Sequence, residues 1–213
     1  KLVRNAISKK VKKIIYFSTA HVYNNPLKGI VTEETCPKNK HPYSTSHLAG
    51  ENIVIQAQLS GKVQGLVLRL SNCIGAPMSI DSNCWMLLVN DLCKQIIEHQ
   101  EMKINTNGKQ LRNFIAIEDI CRVVKLFTEL NFRSNENTIF NVGNETISIL
   151  DMAEIIQIHQ HKIKFNDAVK NLSNLCKEDL YSINILILEK LDSSVPLIQE
   201  IGKYLILSGG KRL

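Results

Sequence analysis

The stretch KKIIYFSTAHVY (Lys12–Tyr23), followed by HPYSTSHLAGE (His41–Glu51), decides the fold of this chain. In the first stretch a basic lead-in runs into the short apolar segment Ile14–Thr19. Such a segment, bounded by polar residues, is typical of a buried parallel strand. In the second stretch Pro42 opens a helix that we expect to run to about Leu59, because proline at a first helical position lacks an N–H that would be unpaired there anyway. The two stretches therefore predict a strand that is followed by a helix.

The same alternation continues along the chain. Further strands are predicted at Gly65–Leu70, Met102–Asn105, Phe114–Ile117 and Ile139–Val142. Further helices are predicted at Cys84–His99, at Asp119–Leu130 and after the capping pair Ser148 and Asp151. Strands that alternate with helices predict an α/β fold with a parallel sheet.

Sequence motifs surround these elements in a fixed order. The first two are S-[ST]-x-x-V-Y and P-Y-x-x-x-K, fitted by Ser18, Thr19, Val22, Tyr23, Pro42 and Tyr43, with His47 at the place of the lysine. Three later segments look like L-R-x-x-N-x-x-G-P, D-G-x-x-x-R-D-F-[VI]-x-[VI]-x-D and Y-N-[IV]-G, within Leu66–Pro77, Asn107–Arg122 and Phe140–Ile156. The residues that carry the first two likenesses are Arg69, Asn72, Gly75 and Pro77, and then Gly108, Arg112, Phe114 and Asp119. In this order the motifs resemble the extended short-chain dehydrogenases/reductases, the family of NAD-dependent nucleotide-sugar epimerases and dehydratases. The resemblance covers residues 1–165 and implies a partial, Rossmann-like parallel sheet with helices.

The resemblance implies a catalytic role for Tyr43, as the acid/base that moves a proton on a sugar hydroxyl while hydride passes to or from NAD or NADP. A free phenol has a pKa of about 10, which is too high for a base at neutral pH. The family's lysine lowers it by its positive charge and also binds the nicotinamide ribose. His47 stands at the lysine's place and can still donate a hydrogen bond to that ribose. An imidazole of ordinary pKa, about 6.5, is mostly neutral at pH 7, so a weakened active site is expected. By spacing alone, the two residues also fit an ordinary exposed pair on a helix.

Other motif residues imply cofactor and substrate contacts. Thr19 matches the residue that hydrogen-bonds the reacting oxygen, with a cap of the strand end as the alternative. Ser71 matches a position close to the nicotinamide. Asn72 and Arg112 match positions that bind the diphosphate of a nucleotide sugar, for which a planar guanidinium is suited; for Arg112 the alternative is a surface salt bridge. Ala20–His21 stands where 4,6-dehydratases usually have Asp-Glu, which favours an epimerase or a reductase.

The start of the chain departs from the family pattern. Family members open with a strand, a G-x-x-G-x-x-G turn and a helix that together hold the dinucleotide pyrophosphate. No such glycine cluster occurs in the 213 residues, and the first residue is Lys1. We therefore expect a fragment that lacks the family's amino-terminal portion and has little activity alone.

Residues 171–213 resemble a different family. Through Leu191–Ile198 and the terminal Ser208–Leu213, they are similar to the beginning of a trans-polyprenyl (octaprenyl) diphosphate synthase. In that family G-G-K-R helps to hold a diphosphate, which implies such a role for Lys211 and Arg212. The aspartate-rich D-D-x-x-D motifs of those enzymes are absent from the sequence. The tail is expected to be short and all-helical.

A join near Phe165–Asn171 leaves two alternatives to a nucleotide-sugar enzyme. The first is a non-catalytic product, formed by gene fusion or by a misassembled reading frame. The second is a fragment of a polyprenyl diphosphate synthase of isoprenoid biosynthesis.

Composition narrows the class of protein. The chain is 44% hydrophobic and 22% charged, which is ordinary for a globular protein. Its net charge is +6, and much of the excess lies in Lys1–Lys13. No aromatic side chains alternate with these lysines, as a single-strand nucleic-acid platform needs. We therefore predict a solvated helix end that leads into the first strand, and no nucleic-acid partner.

Cysteine, histidine and hydropathy patterns point to a cytoplasmic protein without a metal. The six cysteines form no C-x-x-C pair, so reduced thiols are expected rather than a disulfide framework. The histidines and cysteines lack the two-pair spacing of a zinc site. No apolar run approaches the ~18 residues of a membrane span, so no membrane partner is predicted. The resemblance leaves a homodimer open as the assembly.

Overall fold

A computed structural model describes residues 1–77, 79 and 81–168. The helices within these residues are α1 (Leu2–Ser8), α2 (Pro42–Leu59), α3 (Leu88–His99), α4 (Ile117–Glu129) and α5 (Ile149–Ala168), with a 3-10 turn at Ala20–Val22. The strands are β1 (Lys13–Thr19), β2 (Gln64–Leu70), β3 (Asn72–Ile74), β4 (Leu111–Ala116), β5 (Ile139–Val142) and β6 (Glu145–Ser148). Two compact units result: one combines Lys1–Asn72 with Glu118–Asn144, and the other combines Cys73–Ile117 with the described residues from Glu145 onward.

The first unit contains a parallel sheet of three strands in the order β1-β2-β5. Thr19 lies opposite Leu70, and Leu70 lies opposite Val142, so the carboxyl ends of all three strands are level. The central strand β2 is buried on both faces, and its residues Leu66, Val67 and Leu68 are fully buried. This is the pattern of a parallel strand that is covered on both sides. The predicted α/β fold with a parallel, Rossmann-like sheet is therefore confirmed.

Helix α2 approaches β2 closely at a glycine. A Cβ atom on Gly65 would lie 2.7 Å from the backbone oxygen of Val54, closer than two such atoms are found. The glycine therefore allows helix and strand to pack at backbone distance. Because α2 begins at the carboxyl edge of the sheet, this contact helps to fix the position of its first turn relative to that edge.

The second unit contains the sheet β3-β4-β6. Strands β4 and β6 are antiparallel, with Leu111 opposite Ser148 and Phe114 opposite Glu145. The start of α5 carries the predicted reciprocal cap: the Ser148 hydroxyl accepts the Asp151 N–H at 3.0 Å, and the Asp151 carboxylate accepts the Ser148 N–H at 3.2 Å. The core of this unit consists of buried side chains of β3, β4, α3 and α5, namely Ile74, Val89, Leu92, Cys93, Ile96, Phe114, Ala116, Met152, Ala153 and Ile156.

Most predicted elements are confirmed, but two predictions within the described residues are wrong. The strand predicted at Met102–Asn105 is irregular, because the Lys103 N–H donates to the side-chain oxygen of Gln95 at 2.7 Å rather than to a neighbouring strand. The helix predicted from Cys84 begins only at Leu88, since residues 83–86 form a turn. The basic segment at the start forms α1, which leads into β1. The tail predicted at 171–213, with Lys211 and Arg212, lies outside the described residues.

In the described part of the chain, none of the helices is both long and apolar enough to cross a membrane. The same residues contain no group of three or more His, Cys, Asp or Glu side chains arranged to hold a metal ion.

The cysteines differ in burial, and this predicts an order of thiol reactivity. Cys93 is completely buried in the second unit, and burial raises the pKa of its thiol to about 12. Because the thiolate is the reactive form, Cys93 is expected to stay unmodified by iodoacetamide at pH 8 until the protein unfolds. Exposed Cys36 and Cys121 serve as internal controls and should react in the native protein. Peptide mapping by mass spectrometry measures all three, and native labelling of Cys93 would show that the core is open.

Candidate active site

The carboxyl edge of the first sheet carries the motif residues that follow β1 and β2. Thr19 ends β1 and is 5% exposed. Its hydroxyl oxygen accepts the backbone N–H of His21 at 3.2 Å and so caps the turn at Ala20–Val22. The same hydroxyl still has a hydrogen to donate. Ser71 and Asn72 follow β2 at the same edge, where the Ser71 N–H donates to the Val142 oxygen at 2.9 Å.

The first turn of α2 is fastened to the segment that follows β1. His41 caps the helix by accepting the Tyr43 N–H on its Nδ1 at 3.2 Å. The buried Ser44 hydroxyl and the Asn39 amide both donate to the backbone oxygen of His21, at 3.1 Å and 2.8 Å. This turn is therefore held beside Thr19 by hydrogen bonds to one backbone carbonyl.

Tyr43 and His47 form an aromatic pair on the exposed side of this turn. Their ring centroids are 4.6 Å apart in an edge-on arrangement, and Tyr43 is 49% exposed. The spacing of four residues thus brings the phenol and the imidazole into direct contact on one helix face. A second tyrosine, Tyr16 of β1, places its hydroxyl 3.5 Å from Nδ1 of His47.

Beneath this pair lies a buried ion pair. Glu51 of α2 is 0% exposed and Arg69 of β2 is 4% exposed. Two nitrogens of Arg69, Nε and Nη2, donate to the two carboxylate oxygens of Glu51 at 2.9 Å and 2.6 Å. The Ser18 hydroxyl adds a third hydrogen bond to the same carboxylate at 2.5 Å. The fork of the guanidinium thus matches the carboxylate in the bidentate geometry that gives the strongest pairs.

The network extends across the sheet through Tyr23. The remaining Arg69 nitrogen, Nη1, donates to the Tyr23 hydroxyl at 2.7 Å, and that hydroxyl donates to the Asn141 side chain at 2.7 Å. Burial raises the pKa of Tyr23, although its bonds with Arg69 and Asn141 oppose the shift. Burial alone would lower the pKa of Arg69, but its bonds to Glu51 and Tyr23 outweigh burial and raise it. Both groups therefore stay protonated at neutral pH, and the network ties α2, β2 and β5 together.

The predicted site residues are divided between the two units. Thr19, Ser71 and Asn72 belong to the same unit as the Tyr43–His47 pair, whereas Arg112 belongs to the second unit. Arg112 lies on β4 and donates to the side chain of Gln110 at 3.3 Å. Asp119 lies buried in the first turn of α4 and accepts a hydrogen bond from Arg122 at 3.0 Å.

Sequence reasoning assigned no supporting role to the polar residues beneath the site: Tyr16, Tyr23, Glu51 and Asn141. One signal was available. Arg69 lies between leucines in an apolar strand, and a buried arginine needs an acidic partner. Glu51 follows His47 by one helical turn and is the acidic residue nearest in sequence on that helix face. The sequence alone does not show that Tyr23 and Asn141 complete the set.

Comparisons with known proteins identify the family of the chain. Residues 1–143 match the NAD dependent epimerase/dehydratase family. A dTDP-D-glucose 4,6-dehydratase of Dictyostelium discoideum is 26% identical over 159 residues, which are 69% of this chain and 35% of that protein. A GDP-6-deoxy-D-talose 4-dehydrogenase of Aggregatibacter actinomycetemcomitans is 25% identical over 169 residues, which are 78% of this chain and 55% of that protein.

A solved structure shares the fold. The UDP-glucuronic acid 4-epimerase of Bacillus cereus, in complex with NAD, superposes with a TM-score of 0.63 at 24% identity. The match covers 98% of this chain and 65% of the epimerase. The chain thus spans about a third to a half of the length of these curated relatives. Because the family match extends over residues 1–143 of 213, the chain belongs to the NAD-dependent epimerase/dehydratase family.

Proposed function

We propose that the chain takes part in NAD-dependent oxidation and reduction at a sugar hydroxyl of a nucleotide sugar, as an epimerase or reductase does. The observation that carries the proposal is the contact of Tyr43 with His47, at 4.6 Å between ring centroids, on the helix turn beside Thr19. The half-exposed phenol and the imidazole begin the helix that follows β1, and the Thr19 hydroxyl ends β1 at the carboxyl edge of the parallel sheet, where such folds bind their ligands.

These groups fit a nicotinamide nucleotide in part. When bound, NAD accepts hydride from the sugar carbon and can return it. The exposed Tyr43 hydroxyl holds and moves the proton of the sugar oxygen, and the Thr19 hydroxyl donates to the same oxygen. His47 supplies one hydrogen-bond donor for the ribose through Nε2, because its Nδ1 faces Tyr16. The glycine-rich turn that binds a pyrophosphate is not in this sequence, so the residues present provide for the nicotinamide end alone.

The substrate contacts follow from the same family assignment. Asn72 and Arg112 are proposed to bind the diphosphate, with the guanidinium making paired hydrogen bonds to its oxygens. Ser71, next to Asn72 at the sheet edge, is proposed to approach the nicotinamide. Ala20–His21 supports epimerase or reductase chemistry, because it lacks the acidic pair that water elimination uses. The curated relatives include both a dehydratase and a dehydrogenase, so the assay must separate the two reactions.

The test is turnover in a hybrid whose amino-terminal glycine-rich segment comes from the Bacillus cereus epimerase. UDP-glucose, UDP-glucuronic acid and dTDP-glucose are each supplied with NAD, and the products are identified by NMR. We expect slow epimerisation or oxidation of at least one sugar and no 4-keto-6-deoxy product. Absence of turnover in a hybrid that folds and binds NAD would favour the non-catalytic alternative instead.

Replacing His47 by lysine tests the effect of the positive charge that the family's lysine supplies at this position. His47→Lys is expected to raise the rate near pH 7 about tenfold or more, because an opposite charge within about 4–6 Å stabilises the ionised form of an acid. The pH–rate profile should move to lower pH, because the pKa of the Tyr43 phenol is lowered by the added charge. Ala49→Lys places the same charge on another exposed face of α2 and should leave the profile in place. An unmoved profile or lost turnover in His47→Lys would mean that the histidine has a catalytic role of its own.

A further inference from the structure

Tyr16 and His47 make a second aromatic contact that the family motif does not include. The Tyr16 ring lies 6.0 Å from the imidazole, and its hydroxyl oxygen is 3.5 Å from Nδ1, at the long end of the hydrogen-bond range. Within the described part of the chain, His47 Nδ1 is the hydrogen-bond partner shown for this hydroxyl. The two tyrosines thus both contact the imidazole, but Tyr16 is the one that faces a ring nitrogen.

The place of the Tyr16 hydroxyl is built into α2. A Cβ atom on Gly50 would lie 2.2 Å from the Tyr16 oxygen, so any other residue there would displace the phenol. Glycine is disfavoured inside a helix relative to alanine, and here it leaves the room that the hydroxyl occupies. Tyr16 and Ser18 point to the same side of β1, and they contact His47 and Glu51, which are one helical turn apart.

The protonation of Tyr16 decides which of the two groups donates the hydrogen bond. Burial raises the pKa of Tyr16, and the negative charge of Glu51 and the neighbouring phenol of Tyr43 raise it further. The hydroxyl therefore keeps its hydrogen throughout the neutral range and can donate. A neutral imidazole has one nitrogen that accepts and one that donates, and a bond at one nitrogen decides which is which.

We propose that Tyr16 is a positioning residue that donates to Nδ1 of His47 and so holds the neutral imidazole with its hydrogen on Nε2. Position 47 then presents an N–H donor in a fixed direction. In the proposed function, on which this use of the donor rests, it supplies the hydrogen bond that a lysine ammonium would supply to the ribose. The lysine's positive charge is not replaced, which is why His47→Lys is still expected to raise the rate.

The test is the tautomer of His47 in the full chain without cofactor. Long-range ¹H–¹⁵N NMR spectra, recorded above the titration range of histidine, distinguish a protonated ring nitrogen from a bare one. The signals are assigned by their loss in His47→Gln. We expect a bare Nδ1 and a protonated Nε2 in the wild-type chain, and a several-fold larger share of the Nδ1–H form in Tyr16→Phe.

Tyr43→Phe is the matched control, because it keeps the ring against His47 and removes a hydroxyl that does not face Nδ1. Its His47 tautomer should equal that of the wild type. A wild-type chain with Nδ1 protonated would overturn the proposal even if Tyr16→Phe failed to fold, and so would an unchanged spectrum in folded Tyr16→Phe. The NMR sample contains no cofactor or substrate. The result therefore does not depend on whether the proposed function is correct.

Discussion

Replacing Glu51 by glutamine is expected to destabilise the first unit by about 3–5 kcal/mol, the usual cost of removing one partner of a buried ion pair. The glutamine keeps the shape of the side chain, so the loss is one of charge. Arg69 would remain 4% exposed with its guanidinium no longer neutralised by a carboxylate. A domain of this size is stable by only about 5–15 kcal/mol, and the change therefore removes a large share of that margin.

Two comparisons separate this effect from an ordinary loss of a salt bridge. Lys94 and Glu98 form an exposed pair on α3 at 3.9 Å, and Glu98→Gln should cost less than about 0.5 kcal/mol. The double variant Glu51→Gln with Arg69→Met removes the unpaired charge and should be more stable than Glu51→Gln alone. If the double variant is the less stable one, the penalty does not come from a buried charge.

The choice of probe matters in this experiment. The single tryptophan, Trp85, belongs to the second unit, and its fluorescence does not report directly on β1 or β2. The stability of the first unit is therefore measured by hydrogen exchange of the β1 and β2 amides in urea. Circular dichroism measures the unfolding of the whole chain. A change of less than about 1 kcal/mol at these amides would contradict a central role for the ion pair.

The parts of the fold that the sequence predicted are those with strong local signals. The signal is an apolar run in strand β1, a proline at the first helical position in helix α2, and a short β-branched segment in strand β5. Each of the three forms close to its predicted bounds. The strand expected at Met102–Asn105 does not form, since the Lys103 N–H bonds to the side chain of Gln95 instead of to a neighbouring strand. The antiparallel pairing of β4 with β6 was also unforeseen, because it depends on contacts distant in sequence.

The candidate site divides in the same way. The places of Thr19, Tyr43 and His47 followed from motif spacing, and the structure puts all three in one unit. The support beneath them did not follow, because Arg69 and Asn141 reach Tyr23 from strands 46 and 118 residues away in sequence. Ser18, Tyr23 and Arg69 are themselves motif letters, but the motifs do not show which of these side chains contact one another, because those contacts are set by the register of strands and helices.

The largest expected effect on activity is the loss of turnover in Tyr43→Phe. In the hybrid that carries a glycine-rich segment, this change should lower kcat by about 10²–10⁴-fold, the range that a positioned acid/base contributes. The phenyl ring keeps the edge-on contact with His47, so the change removes only the group that exchanges a proton. If hydride transfer is tied to that proton, both directions of the reaction slow by the same factor.

Tyr23→Phe is the control that separates chemistry from folding. The Tyr23 hydroxyl is buried and hydrogen-bonded to both Arg69 and Asn141, and its removal should cost about 1–3 kcal/mol of stability with little effect on kcat in the folded fraction. In Tyr43→Phe the reverse is expected, because Tyr43 is 49% exposed and its hydroxyl makes no hydrogen bond within the described part of the chain. Its melting temperature should therefore stay at the wild-type value while turnover falls. A Tyr43→Phe hybrid that retains more than about a tenth of the wild-type kcat would show that another group moves the proton, and the contact between Tyr43 and His47 would then be an ordinary packing of two rings on a helix.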